Sequence, residues 1–495
     1  MTPNELRLAI ERFLAGCRQP ALHEAGQQLL TLSPDSYVLE ETPARLTLQA
    51  WDDHRNFVRR ITGVASEQRG RLELAVELFA RKAGSILLLD LARPANHGMD
   101  RRGTRLVFRE QVRRFLSRHF TDWKIAALTS ELDLHNTFSP TYPRAMITQG
   151  TAAWAVIGAP PEAADPGEAL SFGLIWLDYL RRREKKLGFE GLILYLPLDG
   201  AVQTCLRLRH MNPAAARFDV YTYGGDAFDD RLDPRDWGNL DTRLDACNAP
   251  GAAPQQIAEP AVESLRRMPD VDAIDHIDGS ISFRVRGLEF ARWTGRELLT
   301  GIETKSRAGA SEITGLPRLV RELSRMRSAR AADRANPLYT SHPEAWLESH
   351  ARRSLRTIDA SLLERPVYGQ VPAFAGGERG VIDLLAVGQN GRLAVVELKA
   401  SEDLHLPLQA LDYWMRVAWH ANRGEFGPKG YFPGVALRNT PPKLVLAAPA
   451  MAFHPSTETI LRYFAKGIEV ERVGLAVEWQ EKLDVVFRYR GAEKP

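Results

Sequence analysis

The stretch Ile382–Ser401, "IDLLAVGQNGRLAVVELKAS", constrains the fold of this chain more than any other. Two apolar runs flank Asn390-Gly391, and an Asn-Gly pair between such runs is a strong short-range signal for a β-hairpin. If the turn centres on Asn390, Leu385 lies opposite Val395. The stretch therefore predicts two antiparallel strands in a defined register.

The same register places two carboxylates side by side. Asp383 faces Glu397, and strand alternation puts Lys399 on the same face as Glu397. Directly opposed residues have Cβ atoms about 4.5–5.5 Å apart. Two buried carboxylates this close repel each other, so that one holds a proton or a cation lies between them. Oxygen ligands suit Mg²⁺, and the trio predicts a site for metal-assisted attack on a phosphodiester. The alternative is a structural salt bridge between Lys399 and Glu397.

The length and the order of elements predict several domains and a mixed fold. A chain of 495 residues is too long for one ordinary core. We expect an α+β region over 1–223, then a linker, a β-meander and a basic helix over 224–336. Residues 337–495 give the order α-β-β-β-α-β-α-β, which is typical of an α/β fold with a mixed sheet and helices on its faces.

Composition and charge narrow the class of protein. Hydrophobic residues make up 44% and charged residues 26%, as in soluble globular proteins. No apolar run is long enough for a membrane span. The three cysteines are far apart, which argues against a disulfide framework and favours the cytoplasm. Residues 93–124 carry nine Lys/Arg against three Asp/Glu, and 303–334 carry eight against four. Either stretch could contact phosphates or be a solvated helix face.

Residues 337–490 resemble the PD-(D/E)xK, or restriction-endonuclease-like, nuclease superfamily. The resemblance covers about a third of the chain and rests on motifs in the family's order: an acidic residue in the first helix, an Asp in the second strand, an (Asp/Glu)-X-Lys in the third strand, and a Gln and a Tyr in the second helix. Here these positions are Glu348, Asp383, Glu397-Leu398-Lys399, Gln409 and Tyr413. One departure is that Ile382, and not a proline, precedes Asp383.

The resemblance implies an α-β-β-β-α-β core and a role for each motif residue. Asp383, Glu397 and the Leu398 carbonyl would bind Mg²⁺, for which Mn²⁺ could substitute. Lys399 would polarise the attacking water or stabilise charge on the phosphate. Glu348 would add a ligand directly or through water. Its alternative is an exposed helix residue paired with Arg352 at i+4.

The second helix supports the same site independently. Gln409, Tyr413, Arg416 and His420 recur at helical spacing on one side. The resemblance makes Gln409 and Tyr413 catalytic, and we expect Arg416 and His420 to contact the nucleic-acid backbone. An ordinary amphipathic surface helix would show the same spacing.

The leading hypothesis is a Mg²⁺-dependent endonuclease, a hydrolase acting on nucleic acid with DNA favoured. The alternative is a catalytically silent nucleic-acid-binding or interaction protein with the same fold. The expected location is the cytoplasm, without membrane contact, and formation of a homodimer is left open.

One weaker pattern concerns the first 200 residues, where "SILLLDLARP" resembles "RLAVVELKAS" and "LIWLDYLRR" resembles "LQALDYWMR". A duplication would match Asp90 with Glu397 and leave the first copy inactive. The spacer of about eighty residues, against about nine in the C-terminal region, argues against that alignment.

Overall fold

The seven-stranded antiparallel sheet near the N-terminus is covered by one amphipathic helix. Its strand order is β2-β1-β7-β6-β5-β4-β3. Helix α1 (Pro3–Ala15) buries Leu6, Ile10 and Leu14 against this sheet. A capping box starts this helix: the Thr2 hydroxyl accepts from the Glu5 amide at 3.3 Å, and the Glu5 carboxylate accepts from the Thr2 amide at 2.8 Å. The strands are β1 (Pro20–Glu24), β2 (Leu30–Thr31), β3 (Tyr37–Thr42), β4 (Arg45–Trp51), β5 (Asn56–Gln68), β6 (Arg71–Glu77) and β7 (Ala83–Asp90).

The structure is a computed structural model, and it describes most of the chain. The described residues are 2–17, 20–24, 30–33, 36–43, 45–51, 56–68, 71–77, 83–90, 101–161, 163, 165–224, 229–234, 242–247, 260–276, 279–375 and 378–492. The predicted mixed α/β fold is confirmed, with helices and several sheets in the described part. No helix among these residues combines the length and hydropathy needed to cross a membrane.

Two compact units make up the chain. One comprises Met1–Leu240, Gly376–Gly380 and Tyr463–Ala465, and the other comprises Asp241–Ala375, Val381–Arg462 and Lys466–Pro495. The predicted division at 223/224 and 336/337 stays a prediction. Of its linker, residues 225–228, 235–241 and 248–259 lie outside the described part.

A six-stranded mixed sheet follows in the first unit, with its strands in chain order. The pairs β10/β11 and β11/β12 are parallel, and the outer pairs are antiparallel. Parallel neighbours need crossover helices, and α3 and α4 supply them. The elements are α2 (Arg101–His119), β8 (Lys124–Thr129), β9 (Arg144–Gln149), β10 (Ala152–Gly158), α3 (Ala169–Arg183), β11 (Gly188–Pro197), α4 (Leu198–Leu208), β12 (Arg217–Tyr223) and β13 (Asp230–Leu232).

The second unit begins with an antiparallel meander that packs against a basic helix. Its strands run in chain order, and Leu316, Val320 and Leu323 of the helix are buried with Phe283 and Phe290 of the sheet. The elements are α5 (Pro260–Arg266), β14 (Asp272–Asp275), β15 (Ile281–Val285), β16 (Leu288–Trp293), β17 (Leu298–Thr300), β18 (Ser306–Arg307), α6 (Ala310–Met326) and the short α7 (Pro337–Thr340).

The rest of the second unit holds a six-stranded mixed sheet in chain order. The pair β20/β21 is antiparallel, β21/β22 and β22/β23 are parallel, and β23/β24 is antiparallel. The predicted series α-β-β-β-α-β-α-β is contained in the observed order, which has two additional short helices before the sheet and one additional strand at its end. The elements are α8 (Pro343–Arg353), α9 (Leu355–Ile358), β19 (Tyr368–Ala375), β20 (Glu378–Val387), β21 (Leu393–Leu398), α10 (Leu406–Asn422), β22 (Lys443–Pro449), α11 (Thr457–Leu461), β23 (Val470–Leu475) and β24 (Val485–Arg490).

Candidate functional site

The predicted hairpin register is confirmed. Leu385 pairs with Val395, and the ladder runs on through Leu384 and Val396. One further step brings Asp383 beside Glu397. The Leu398 amide donates to Asp383 Oδ2 at 2.8 Å, which fixes this carboxylate against the end of β21.

The two faces of β21 have different neighbours. Val396 and Leu398 belong to the apolar cluster that α8 covers with Trp346 and Leu347. Because side chains alternate along a strand, Glu397 points to the opposite face, where α10 packs on β21 and β22. Glu397 is therefore buried between the sheet and α10, and Asp383 lies beside it with intermediate exposure.

Burial makes both carboxyl groups hard to ionise. It raises the pKa of Asp383 to about 7, against an ordinary value of 3.8. The hydrogen bond from the Leu398 amide lowers this pKa, and the negative charge of Glu348 raises it further. Burial and the charge of Asp383 likewise raise the pKa of Glu397. The pair therefore keeps at least one proton near neutral pH, unless a cation replaces it.

Lys399 supplies one positive charge to this cluster. Burial lowers its pKa, but the carboxylates of Glu397, Asp403 and Asp383 outweigh burial, so the pKa lies above its ordinary value. Its Nζ lies 3.3 Å from Asp403 Oδ2. The ammonium group is thus held charged beside the acidic pair, and its direct ion pair is with Asp403. The charge of Glu397 acts on Lys399 most strongly of the three carboxylates, so the alternative of a structural salt bridge between them stays a prediction.

Two buried acceptor atoms at the site have no hydrogen-bond partner in the described chain. They are Glu397 Oε2 and Gln409 Oε1. Glu397 is only 4% exposed, so water does not solvate this oxygen freely. A buried oxygen without a donor is costly, and a bound cation would satisfy it. The acidic pair therefore fits a hard divalent cation. The described chain has no group of three or more His, Cys, Asp or Glu side chains arranged to hold a metal ion.

Of the predicted helix residues, Tyr413 lies near the pair, and Gln409 stands one turn earlier on the same side of α10. Burial raises the pKa of Tyr413, and the nearby charges of Glu397 and Asp383 raise it further. Its hydroxyl therefore stays protonated and is a hydrogen-bond donor near the carboxylates.

Glu348 lies in an ion-pair network. Its Oε1 accepts from Arg352 Nη2 at 2.6 Å, and its Oε2 lies 3.9 Å from Arg284 Nη1 of β15. The alternative pairing with Arg352 is therefore observed, but Glu348 is buried and not exposed. A Cβ added to Gly369 would lie 1.5 Å from Arg352 Nη2 and 2.5 Å from Glu348 Oε1. The backbone of β19 thus closes over this pair.

Arg416 and His420, which the sequence predicts to contact nucleic acid, are both buried. The Arg416 guanidinium lies 5.9 Å from the centre of the Tyr413 ring. His420 Nδ1 lies 2.7 Å from Glu425 Oε2, and its Nε2 lies 3.2 Å from the Thr242 hydroxyl. His420 thus has a structural role, and contact of these two residues with nucleic acid stays a prediction.

Sequence reasoning missed two charged neighbours of the site. Asp403 follows Lys399 by four residues, a spacing that could have indicated the ion pair. Arg284 has no such local signal, because it reaches Glu348 from a strand far away in the sequence.

Neither a family model nor a curated protein matches the chain.

Proposed function

We propose that this protein is a nuclease that hydrolyses phosphodiester bonds of nucleic acid, DNA in the first place, with a divalent cation held by its second unit. The observation that carries the proposal is the pair of the buried Glu397 and the partly buried Asp383 on adjacent strands, with the ammonium group of Lys399 beside it. Mg²⁺ is the cation we assign, and Mn²⁺ could replace it.

The electrostatics of the pair favour a ligand-binding role over a purely structural one. Two unit charges about 4 Å apart repel by about 4 kcal/mol at an effective dielectric constant of about 20. Without a cation the pair avoids this repulsion only by holding a proton. A structural role gives no reason to retain two such carboxyl groups together with a buried Glu397 oxygen that has no donor in the described chain. A divalent cation relieves the repulsion and satisfies the oxygen.

Resemblance to the PD-(D/E)xK superfamily supports the same proposal. The order α8-β19-β20-β21-α10-β22 is the α-β-β-β-α-β arrangement of that family. Asp383 in β20 and Glu397-Leu398-Lys399 at the end of β21 follow the order of its motif along the chain. We therefore assign residues 337–490 to this fold as part of the proposal.

Each residue of the site has a defined task. Asp383, Glu397 and the Leu398 carbonyl would hold the cation. When bound, the cation polarises the phosphate and lowers the pKa of a water molecule. Lys399 places a positive charge where the phosphate gains negative charge. Gln409 and Tyr413 present polar groups from α10 to the attacked phosphate and the water.

Glu348 contributes through its charge and not as a ligand in this arrangement. Both of its oxygens lie close to arginines, one of them at 2.6 Å. Its negative charge still raises the pKa of Asp383. We therefore leave Glu348 outside the proposed ligand set.

A nuclease panel tests the proposal. The purified chain is incubated with single- and double-stranded DNA and RNA in Mg²⁺, in Mn²⁺ and in EDTA, beside Asp383→Asn and the control Glu402→Gln. The control removes a carboxylate that is 54% exposed on the neighbouring loop. We expect cleavage in metal only. The loss of several kcal/mol of metal assistance should slow Asp383→Asn by at least about a thousandfold.

The same panel distinguishes the metal nuclease from the alternative, a catalytically silent nucleic-acid-binding protein. Nucleic-acid binding without cleavage under every metal condition would support a silent binding protein. Undiminished cleavage in EDTA, or by Asp383→Asn, would contradict the metal nuclease.

A further inference from the structure

The six-stranded sheets of the two units have the same topology. We call residues 101–232 the first copy and residues 343–490 the second copy. Strands β8 to β13 of the first copy lie in chain order, and so do strands β19 to β24 of the second. In each copy the second and third strands are antiparallel, the next two pairs are parallel, and the last pair is antiparallel. A helix precedes each sheet, and a helix links each parallel pair.

One equivalent hydrogen bond fixes the alignment of the two copies. Just past the third strand, the Ala159 amide donates to the Tyr195 carbonyl at 3.0 Å, and the Lys399 amide donates to the Ala447 carbonyl at 3.0 Å. Ala159 therefore stands where the second copy has Lys399. Two residues earlier, Ile157 stands in the position of Glu397.

The neighbouring strand extends the alignment to Asp383. Arg144 pairs with Ile157 across β9 and β10. Asp383 lies beside Glu397 when the β20/β21 register is continued by one step. Arg144 therefore occupies the position of Asp383, and a guanidinium replaces a carboxylate.

The crossover helices agree with this alignment. Both contain the tripeptide Leu-Asp-Tyr, at 177–179 in α3 and at 411–413 in α10. Helix α3 packs on β10 and β11, and α10 packs on β21 and β22. A Cβ added to Gly173 of α3 would lie 2.9 Å from Ile157 Cγ2, so Ile157 faces α3 as Glu397 faces α10. The two helix segments that look alike in the sequence, "LIWLDYLRR" and "LQALDYWMR", thus occupy equivalent places in the two sheets. The match of Asp90 with Glu397 is wrong, because Asp90 ends β7 in the seven-stranded sheet.

The site of the first copy contains a built-in cation. Arg144 is 4% exposed, and its Nη2 donates to the Glu131 carbonyl at 2.7 Å. Its guanidinium carbon lies 4.4 Å from the ring centre of Phe138 and 5.6 Å from that of Trp176. Such aromatic faces stabilise a buried cation. In the described part of the chain, Nε and Nη1 of Arg144 have no hydrogen-bond acceptor.

We infer that residues 101–232 are a diverged duplicate of residues 343–490 that binds no metal, with Arg144 standing permanently where the second copy takes a cation. The first copy lacks all three groups of the acidic site, since Arg144, Ile157 and Ala159 replace Asp383, Glu397 and Lys399. It therefore contributes no cleavage, and of the two copies only the second offers a metal centre in the described part of the chain. That the second copy holds this centre rests on the proposed function.

Counting bound Mn²⁺ tests the inference on the full chain. Wild type and Asp383→Asn/Glu397→Gln are titrated with Mn²⁺, and free Mn²⁺ is followed by electron paramagnetic resonance. We expect the double variant to lose all saturable binding. If it loses cleavage but keeps a saturable Mn²⁺ site, the inference is overturned while the proposed function stands.

Rebuilding the acidic pair in the first copy tests the alignment itself. Arg144→Asp and Ile157→Glu are introduced into the Asp383→Asn/Glu397→Gln chain. If these positions are equivalent to the acidic pair, Mn²⁺ should again bind and raise the melting temperature. A folded variant that gains no Mn²⁺ binding would overturn the equivalence. If the rebuilt chain does not fold, the titration above decides the inference.

Discussion

Replacing Asp383 by Asn should make the metal-free protein more stable at neutral and alkaline pH. The pKa of this carboxyl group is about 7 in the folded protein, against an ordinary value of 3.8. The difference of about 3 units corresponds to about 4 kcal/mol at 1.36 kcal/mol per unit. Since the folded-state pKa is raised, the protonated carboxyl stabilises the fold at low pH. This contribution is lost as the pH rises through about 7.

Urea unfolding in EDTA, at about pH 4.5 and about pH 8, measures this contribution. From about pH 4.5 to about pH 8, the unfolding free energy of the wild type should fall by about 3 kcal/mol more than that of Asp383→Asn. The substitution keeps an oxygen that can accept from the Leu398 amide, so its main effect is on charge. Glu402→Gln, at an exposed position, should behave like the wild type. Equal changes with pH in wild type and Asp383→Asn would refute the reasoning.

Three further predictions follow from the same contacts. Lys399→Met should abolish cleavage. Because it leaves Asp383 and Glu397 in place, Mg²⁺ should still raise the melting temperature, and loss of that rise would contradict the role assigned to Lys399. Arg284→Met should destabilise the second unit by only about 1 kcal/mol, since the buried Glu348 keeps Arg352 at 2.6 Å and Glu289 keeps Arg292 at 2.8 Å. A loss of about 3 kcal/mol or more in unfolding free energy would contradict this. Arg318, Arg321 and Arg325 of α6 are exposed, and replacing them by Gln should weaken the salt dependence of DNA binding. The slope of log K against log salt concentration should become shallower by up to about 2–3, and an unchanged slope would exclude α6 from the interface.

The local signals in the sequence predicted the hairpin and its acidic pair. The Asn390-Gly391 turn sets the register, and Gly391 has a φ of 81° with the Ala436 carbonyl oxygen only 2.1 Å from where a Cβ would be. Few other residues tolerate that conformation or that contact. Once the turn is fixed, alternation alone brings Asp383 beside Glu397.

Long-range contacts account for what the sequence did not predict. Helical spacing put His420 on the polar side of α10, but the segment 242–247 covers it, with the Thr242 hydroxyl at its ring. Similarly, the arginine of β15 that approaches Glu348 comes from a different sheet. The repeat in the sequence was aligned on the wrong strand, because β10 has the apolar Ile157 where β21 has Glu397, so the acidic end of β7 looked more similar.

The cleavage rate of Glu397→Gln over a range of Mg²⁺ concentrations tests the central claim most directly. Glu397 is the buried residue whose Oε2 has no hydrogen-bond donor in the described chain. With a cation site formed by the acidic pair, the wild-type rate should rise with Mg²⁺ and saturate, while the variant stays folded and at least about a thousandfold slower at every concentration. A variant that cleaves at the wild-type rate, with the same dependence on Mg²⁺, would contradict a metal site at Asp383 and Glu397.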